Sequence, residues 1–324
     1  MARTRLYRDG SLVRENFPVH EISEHLADPA ALVWLDLFRP TPQKLARVGQ
    51  EFGLHELALE DAATAGQRPK IDRYRSHEFF SGYAVRIDPH GGRLTTTEIA
   101  AFLTRRALIT VRQDDGFDID DVVTRWDDSP DLADQGVGFL LHGLLDHLVD
   151  GHFQAVQQLD DAIEELEELL FAEDPGEIRQ VQRDAYELRK SLVGLRRVVL
   201  PMREVINTLM RPGTGVVTDR LMPYYQDIYD HVLRAAEWTE SLRDMVASVM
   251  ETNLSIQSNR MNLIMKKVTS WAAIIAVPTA ITGYYGQNLP YPGFSDQAGL
   301  ISSSVLIVGI TLLLYVLFRR NDWL

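Results

Sequence analysis

The chain contains no cysteine. That excludes disulfides, zinc–thiolate centres and thiol nucleophiles, and it leaves the redox compartment unmarked. Positive charge is scarce as well: 33 Lys and Arg stand against 46 Asp and Glu, a formal charge of -13 with pI near 5.1. A nucleic-acid partner needs clustered cations that displace counterions from phosphates, so this balance points to cations as partners and away from nucleic acid. The N-terminal stretch Met1 to Asp9 carries charge with no apolar run behind it, which is no secretory signal, and the chain is expected to begin in the cytoplasm. No Gly-x-x-x-x-Gly-Lys loop occurs, so ATP hydrolysis is not expected. His20-Glu21-Ile22-Ser23-Glu24-His25 has one residue too many for a zinc-protease helix, which would set its histidines roughly 140° apart. His142, His147 and His152 repeat that spacing and meet the same objection. Asn253-Leu254-Ser255 fits the glycosylation pattern but falls on a helix expected in the cytoplasm. The chain is therefore read as a non-enzyme that needs no cofactor.

Near the C-terminus charge itself runs out. Residues 268–295 carry none, and after Asp296 residues 298–318 again carry none. Roughly 20 apolar residues cross a bilayer as a helix. The second stretch meets that length, and the first does once its polar tail is set aside. Buried core helices are the competing reading, but such helices seldom run this long without a charged face. Lys266 and Lys267 precede the first stretch and Arg319 and Arg320 follow the second, so the positive-inside rule places both outer ends in the cytoplasm.

Upstream, alternating or continuous apolar runs predict strands over Ala31 to Leu37, Phe79 to Ile87, Glu98 to Leu103 and Ala107 to Val111, with a helix over Thr41 to Glu51. Pro89-His90-Gly91-Gly92 and Asp114-Asp115-Gly116 read as turns. Residues 1–133 are expected to form an α/β cytoplasmic domain, and 134–212 an antiparallel helical hairpin broken near Glu173-Asp174-Pro175-Gly176. A stalk helix is expected over 219–267, leading into a first membrane helix at 268–287. An outer loop at 288–297, a second membrane helix at 298–318 and a basic tail at 319–324 complete the plan. From Tyr224 to Tyr285 no glycine occurs before Gly283 and the only proline is Pro278, so the stalk and first membrane helix read as one rod of roughly 90 Å. Pro278 predicts a bend and not a stop.

On that rod Asn262, Met265, Val268 (or Thr269), Ala272, Ala276, Thr279 and Gly283 recur at spacings of three and four. A stripe of small, weakly polar residues marks either close helix packing or the lining of a pore. Two membrane helices cannot enclose a channel, so a pore requires several copies around an axis.

At the outer end of the stripe stands Tyr284-Tyr285-Gly286-Gln287-Asn288. Here the chain resembles the CorA family of magnesium and cobalt transporters, which carries Tyr-Gly-Met-Asn at this place; Tyr285, Gly286 and Asn288 match, and Gln287 replaces the methionine. Other stretches agree: Glu60-Asp61 with Gln67-Arg68-Pro69-Lys70, Pro201 to Val205, Pro223 to His231, and the terminal Trp323-Leu324 after a basic pair. The resemblance implies an α+β cytoplasmic domain on long stalk helices with two C-terminal transmembrane helices, assembled as a homopentameric channel in the bacterial inner membrane. It implies passive Mg²⁺ influx, with Co²⁺ or Ni²⁺ possible substrates, through a mouth formed by Tyr285, Gly286, Gln287 and Asn288. Counting back without gaps, the family's pore positions coincide with the stripe from Gly283 to Asn262, and Met265 and Val268 would form a dry gate. Asp88 and Asp227 match family positions that bind regulatory Mg²⁺ between neighbouring subunits. Gln287, and an outer loop with only Asp296 in place of the usual glutamate, leave ion choice open. A proton-coupled zinc transporter of the same superfamily is therefore a second expectation, and a membrane-tethered sensor or scaffold without transport a third. The acidic run Asp160 to Glu168 reads as a solvated helix face or as a surface that concentrates cations.

Overall fold

The computed structural model describes residues 2–88, 92–171, 175–213, 215–287 and 296–324. The elements in chain order are β1 Ala2–Arg8, β2 Ser11–Glu15, α1 Ile22–His25, β3 Ala31–Phe38, α2 Pro42–Phe52, α3 Glu56–Ala63, β4 Lys70–Arg73, β5 Glu78–Ile87, β6 Leu94–Leu103, β7 Ala107–Arg112, α4 Ile119–Asp127, α5 Val137–Glu168, α6 Pro175–Met210, α7 Met222–Tyr285 and α8 Gln297–Arg320. They form two compact units, Met1–Val249 and Met250–Leu324, with the boundary inside α7.

In the first unit the seven strands lie in the order β2-β1-β3-β7-β6-β5-β4. Only β3 and β7 run parallel among these neighbours; every other pair is antiparallel. The run Ala31-Leu-Val-Trp-Leu-Asp-Leu37 is central and buried on both faces, as a continuous apolar strand should be. Val33, Leu35 and Leu37 pack with Leu45 and Val48 of α2 and Ala58 of α3. On the opposite face Trp34 meets Trp126 of α4 edge to face at 4.9 Å. Asp36 shares that face and is held by Arg112 through two contacts of 3.1 and 2.7 Å, while the Thr110 hydroxyl donates to it at 2.7 Å. A buried carboxylate is tolerated because its partners are this complete.

The strands predicted from apolar runs appear within a few residues of their expected ends. Three others, β1, β2 and β4, carry too much charge for that signal. In β1, Arg5 is buried because its guanidinium pairs with Glu15 at 2.6 Å and Asp127 at 2.8 Å. Thus a charged strand sits inside the sheet through pairing and not through apolarity. α5 lies on β5. His152 there is fully buried, and its Nε2–H donates to the Tyr83 carbonyl at 2.7 Å. Its Nδ1 has no partner among the described residues, and burial pushes the imidazole down to about 4. The five-residue histidine series is thus no ligand set: its third member is core.

The second unit contains the remainder of α7 and all of α8. The most apolar window of α8 has a mean hydropathy of 2.5 and no part of it is buried. Leu300, Ile301, Val305 and Val308 are each more than 60 % exposed, at 70, 61, 65 and 65 %. A helix this apolar and this bare has no place in water.

Candidate ion pathway

The C-terminal end of α7 lies beside the start of α8, where the Tyr285 and Ser302 hydroxyls are 3.4 Å apart. On α7, Ser270 and Ile274 are buried and Val277, Ile281 and Tyr285 partly so, at spacings of four, three, four and four. Asn262, Met265, Val268, Ala272, Ala276, Thr279 and Gly283 are all exposed. At 100° per residue that stripe centres about 170° round the helix from the shielded face. Seven of the sequence-predicted residues therefore share one bare side of one helix.

Pro278 does not break α7, although it removes the N–H that would bond the Ile274 carbonyl. Hydroxyls support the carbonyls around it. Thr282 Oγ1 donates to the Pro278 carbonyl at 2.8 Å and Thr279 Oγ1 to the Ile275 carbonyl at 3.2 Å. Such back-bonding is how a membrane helix carries a proline.

After Tyr285 the Gly286 N–H still reaches the Thr282 carbonyl at 2.8 Å, and the Gln287 N–H reaches the Tyr284 carbonyl at 3.3 Å. Gly286 is not left-handed; a Cβ there would stand 2.9 Å from the Thr282 carbonyl oxygen. Close approach, and not an unusual φ, calls for the glycine. Asn288 lies outside the described residues, as does the outer loop through Ser295.

Asp88 and Asp227 belong to the first unit. Asp88 follows β5 and closes a turn: its N–H donates to the Arg93 carbonyl at 2.9 Å, and its carbonyl accepts from the Gly92 N–H at 3.1 Å. Asp227 is an exposed carboxylate near the start of α7. Its neighbours explain the Pro223-Tyr-Tyr-Gln-Asp motif. Tyr225 is fully buried and donates to the Gly138 carbonyl at 2.9 Å, fixing α7 to the first turn of α5. His142 meets Tyr224 and Tyr225 edge on at 5.6 and 5.7 Å. Burial pushes its imidazole down, against the pull of Asp146 and Asp227. No group of three metal-ligating side chains forms within the single chain among the described residues.

Sequence reasoning did not foresee how the tail folds. After α8, the Trp323 N–H donates back to the Phe318 carbonyl at 2.9 Å and Asp322 takes a left-handed φ of 56°. This is a helix C-cap of the Schellman kind with Asp in the usual glycine position. It stacks Trp323 on Phe318 at 5.6 Å with an interplanar angle of 7° and brings Trp323 to a cleft lined on α7 by Asn259, Asn262, Leu263, Met265, Lys266 and Thr269, so two stripe residues lie beside the tail. Arg-Arg-Asn-Asp after an apolar helix carries that stop signal.

An α+β unit joined to an uncovered apolar helical hairpin defines a membrane protein with two spans. The family described as CorA-like Mg²⁺ transporter protein matches residues 29–320, and the chain belongs to it. It is 32 % identical over 280 residues to the cobalt/magnesium transport protein CorA of Thermotoga maritima, covering 86 % of this chain and 79 % of that protein. The structure superposes on the complete CorA magnesium transporter of Methanocaldococcus jannaschii with a TM-score of 0.78 at 23 % identity, covering 100 % of this chain and 99 % of the other. The zinc transport protein ZntB of Yersinia pseudotuberculosis is more distant, 24 % identical with 90 % of this chain and 88 % of its own length covered.

Proposed function

We propose that several copies of this chain assemble around an axis into a channel that passes Mg²⁺ inward, with the α7 stripe lining the path. The observation that carries this reading is the stripe itself. Ala272, Ala276, Thr279 and Gly283 are bare on the side of α7 opposite Ser270 and Ile274, in a helix long and apolar enough to cross a membrane. Small side chains bare on one face of a membrane helix let copies of that helix approach closely around an axis. Five copies are the number the family resemblance implies.

Mg²⁺ sheds its water reluctantly. The mouth at Gly286, Gln287 and Asn288 would bind the hydrated ion through carbonyl and amide oxygens that accept hydrogen bonds from its water shell. Further in, Met265 and Val268 form a ring that resists an ion by dewetting when the copies close together. Asp88 and Asp227 on neighbouring copies share a regulatory Mg²⁺, which offsets their mutual repulsion and favours the closed state until the ion leaves. Both ends of the hairpin lie on the cytoplasmic side of the inner membrane, since Lys266, Lys267, Arg319 and Arg320 flank them. The membrane potential then drives influx with about 4.6 kcal/mol per divalent ion at 100 mV.

Cation flux into proteoliposomes tests the reading with wild type and Asn288→Ala. Wild type conducts Mg²⁺ under an inside-negative potential, and Asn288→Ala loses selectivity or flux. Unchanged selective flux in the variant removes the assigned mouth, and no flux in wild type leaves the sensor or scaffold reading. Gln287 and the ZntB relative keep zinc as a second substrate reading. Zn²⁺ uptake that exceeds Mg²⁺ uptake and follows an imposed proton gradient would favour it.

A further inference from the structure

Three pieces of the first unit meet at one end of the sheet: the turn from β4 to β5, the turn from β6 to β7 and the start of α5. They wall a cleft of about 570 Å³ that includes Arg73, Arg75, Glu78, Arg105, Val137 and Gly138. In a chain of net charge -13, these walls carry three arginines against one acid. Arg73 Nε donates to Glu78 Oε1 at 3.0 Å and matches its charge. Arg75 and Arg105 are exposed and make no hydrogen bond or ion pair among the described residues. The helix adds charge of the same sign. Gly136 at its N-cap offers no side-chain acceptor, and the Val137 and Gly138 N–H groups find none among the described residues. Glu78 lacks a partner of the other kind. It is 8 % exposed, and its Oε2 is buried with no hydrogen bond among the described residues. Burial pushes the carboxyl up against the pull of Arg73, as it does for a carboxylate short of a donor.

We propose that this cleft binds a small phosphate monoester that carries a hydroxyl or amino group beyond its phosphate. Two unmatched arginines fit a dianion, and a monoester phosphate carries about 1.5 to 2 negative charges at pH 7. Its oxygens accept from the Arg75 and Arg105 guanidinium groups and from the N–H groups that open α5. The hydroxyl or amino group donates to Glu78 Oε2, which the chain itself leaves without a donor. Inorganic phosphate is too small to serve both ends of a cleft whose volume lies in the range of small-molecule sites. A divalent cation is the wrong occupant, because two free arginines and a positive helix end repel it and one carboxylate oxygen cannot replace its water shell. Sugar phosphates and nucleoside monophosphates share the required chemistry. Every wall residue belongs to the first unit, so the site does not depend on the channel.

Isothermal titration calorimetry of the full-length protein in detergent, in buffer free of phosphate and magnesium, reads the site. The probes are glucose-6-phosphate, adenosine monophosphate, methyl phosphate and inorganic phosphate, with glucose and adenosine as uncharged controls. At least one of the two larger esters binds about tenfold more tightly than inorganic phosphate, and the one that binds identifies the source as sugar or nucleotide. Methyl phosphate, an ester with no donor, binds no better than inorganic phosphate, and the uncharged controls do not bind. Arg75→Gln and Arg105→Gln, both at exposed positions, each weaken the preferred ester about fivefold. Glu78→Gln brings that ester down toward methyl phosphate; should this variant fail to fold, the comparison of esters on wild type decides alone. Failure of both larger esters to exceed inorganic phosphate overturns the proposal, as does undiminished affinity in the double Arg75→Gln, Arg105→Gln variant. Methyl phosphate held as tightly as the larger esters leaves Glu78 without a role and also overturns it.

Discussion

In the unit Met1–Val249, Leu35, Phe79, Phe102 and Ile109 are at 0 % exposure, while in the unit Met250–Leu324 Leu300 is 70 % and Val308 65 % exposed. The apolar side chains are of one kind; their solvents are not. The first unit gathers them between a sheet and its helices and can therefore admit buried charge only in pairs, as at Asp36 and Arg112. The second presents them outward, and its Lys266, Lys267, Arg319 and Arg320 form no ion pair among the described residues. Water drives the packing of the first, and lipid removes the need for it in the second.

That contrast can be broken first at its strongest point. Asp36→Ala leaves Arg112 buried without its carboxylate and is expected to destabilise the first unit by about 3–5 kcal/mol; chemical denaturation followed by near-UV circular dichroism measures it. Arginine introduced at two comparably bare apolar positions makes the sharpest comparison. Val308→Arg in α8 costs about 3 kcal/mol of membrane insertion, whereas Leu57→Arg in α3, at a residue 56 % exposed, changes stability by under about 0.5 kcal/mol. An insertion assay on the first and a thermal melt on the second would erase the distinction if the two costs proved equal.

Acid separates the units as well. His152 is held near 4 in the fold against an ordinary 6.5. The unfolded chain therefore binds the proton first, and stability that is complete above about 6.5 declines as the pH falls toward 4. The loss amounts to about 3 kcal/mol, confined to the first unit. The pH dependence of unfolding, compared between wild type and His152→Leu, should flatten in the variant. A small effect is also expected of Thr282→Ala, which removes a hydroxyl bond to the Pro278 carbonyl and should cost about 0.6 kcal/mol of hairpin stability in detergent.

How much of this was legible in the sequence follows the same division. The hairpin was plain because hydropathy and length decide it without long-range contacts. The stripe was legible as a spacing, but which side of α7 meets α8 depends on Ser270 and Ile274, whose burial no local pattern announces. Strand β1 escaped because the buried Arg5 reads as surface until Glu15 and Asp127 are brought to it across the fold. His152 escaped for the converse reason: a polar symbol in the sequence became core once the Tyr83 carbonyl was positioned to receive its proton. Both are places where tertiary partners overrule composition.

The turn that ends α7 has a consequence for engineering. With the Thr282 oxygen 2.9 Å from where any side chain at 286 would begin, that site admits no variation without opening the last turn of α7. Its neighbour Gln287 is exposed and free of that restriction. Libraries that probe the proposed mouth should hold 286 constant and diversify 287, where chemistry can change while the main chain keeps its course.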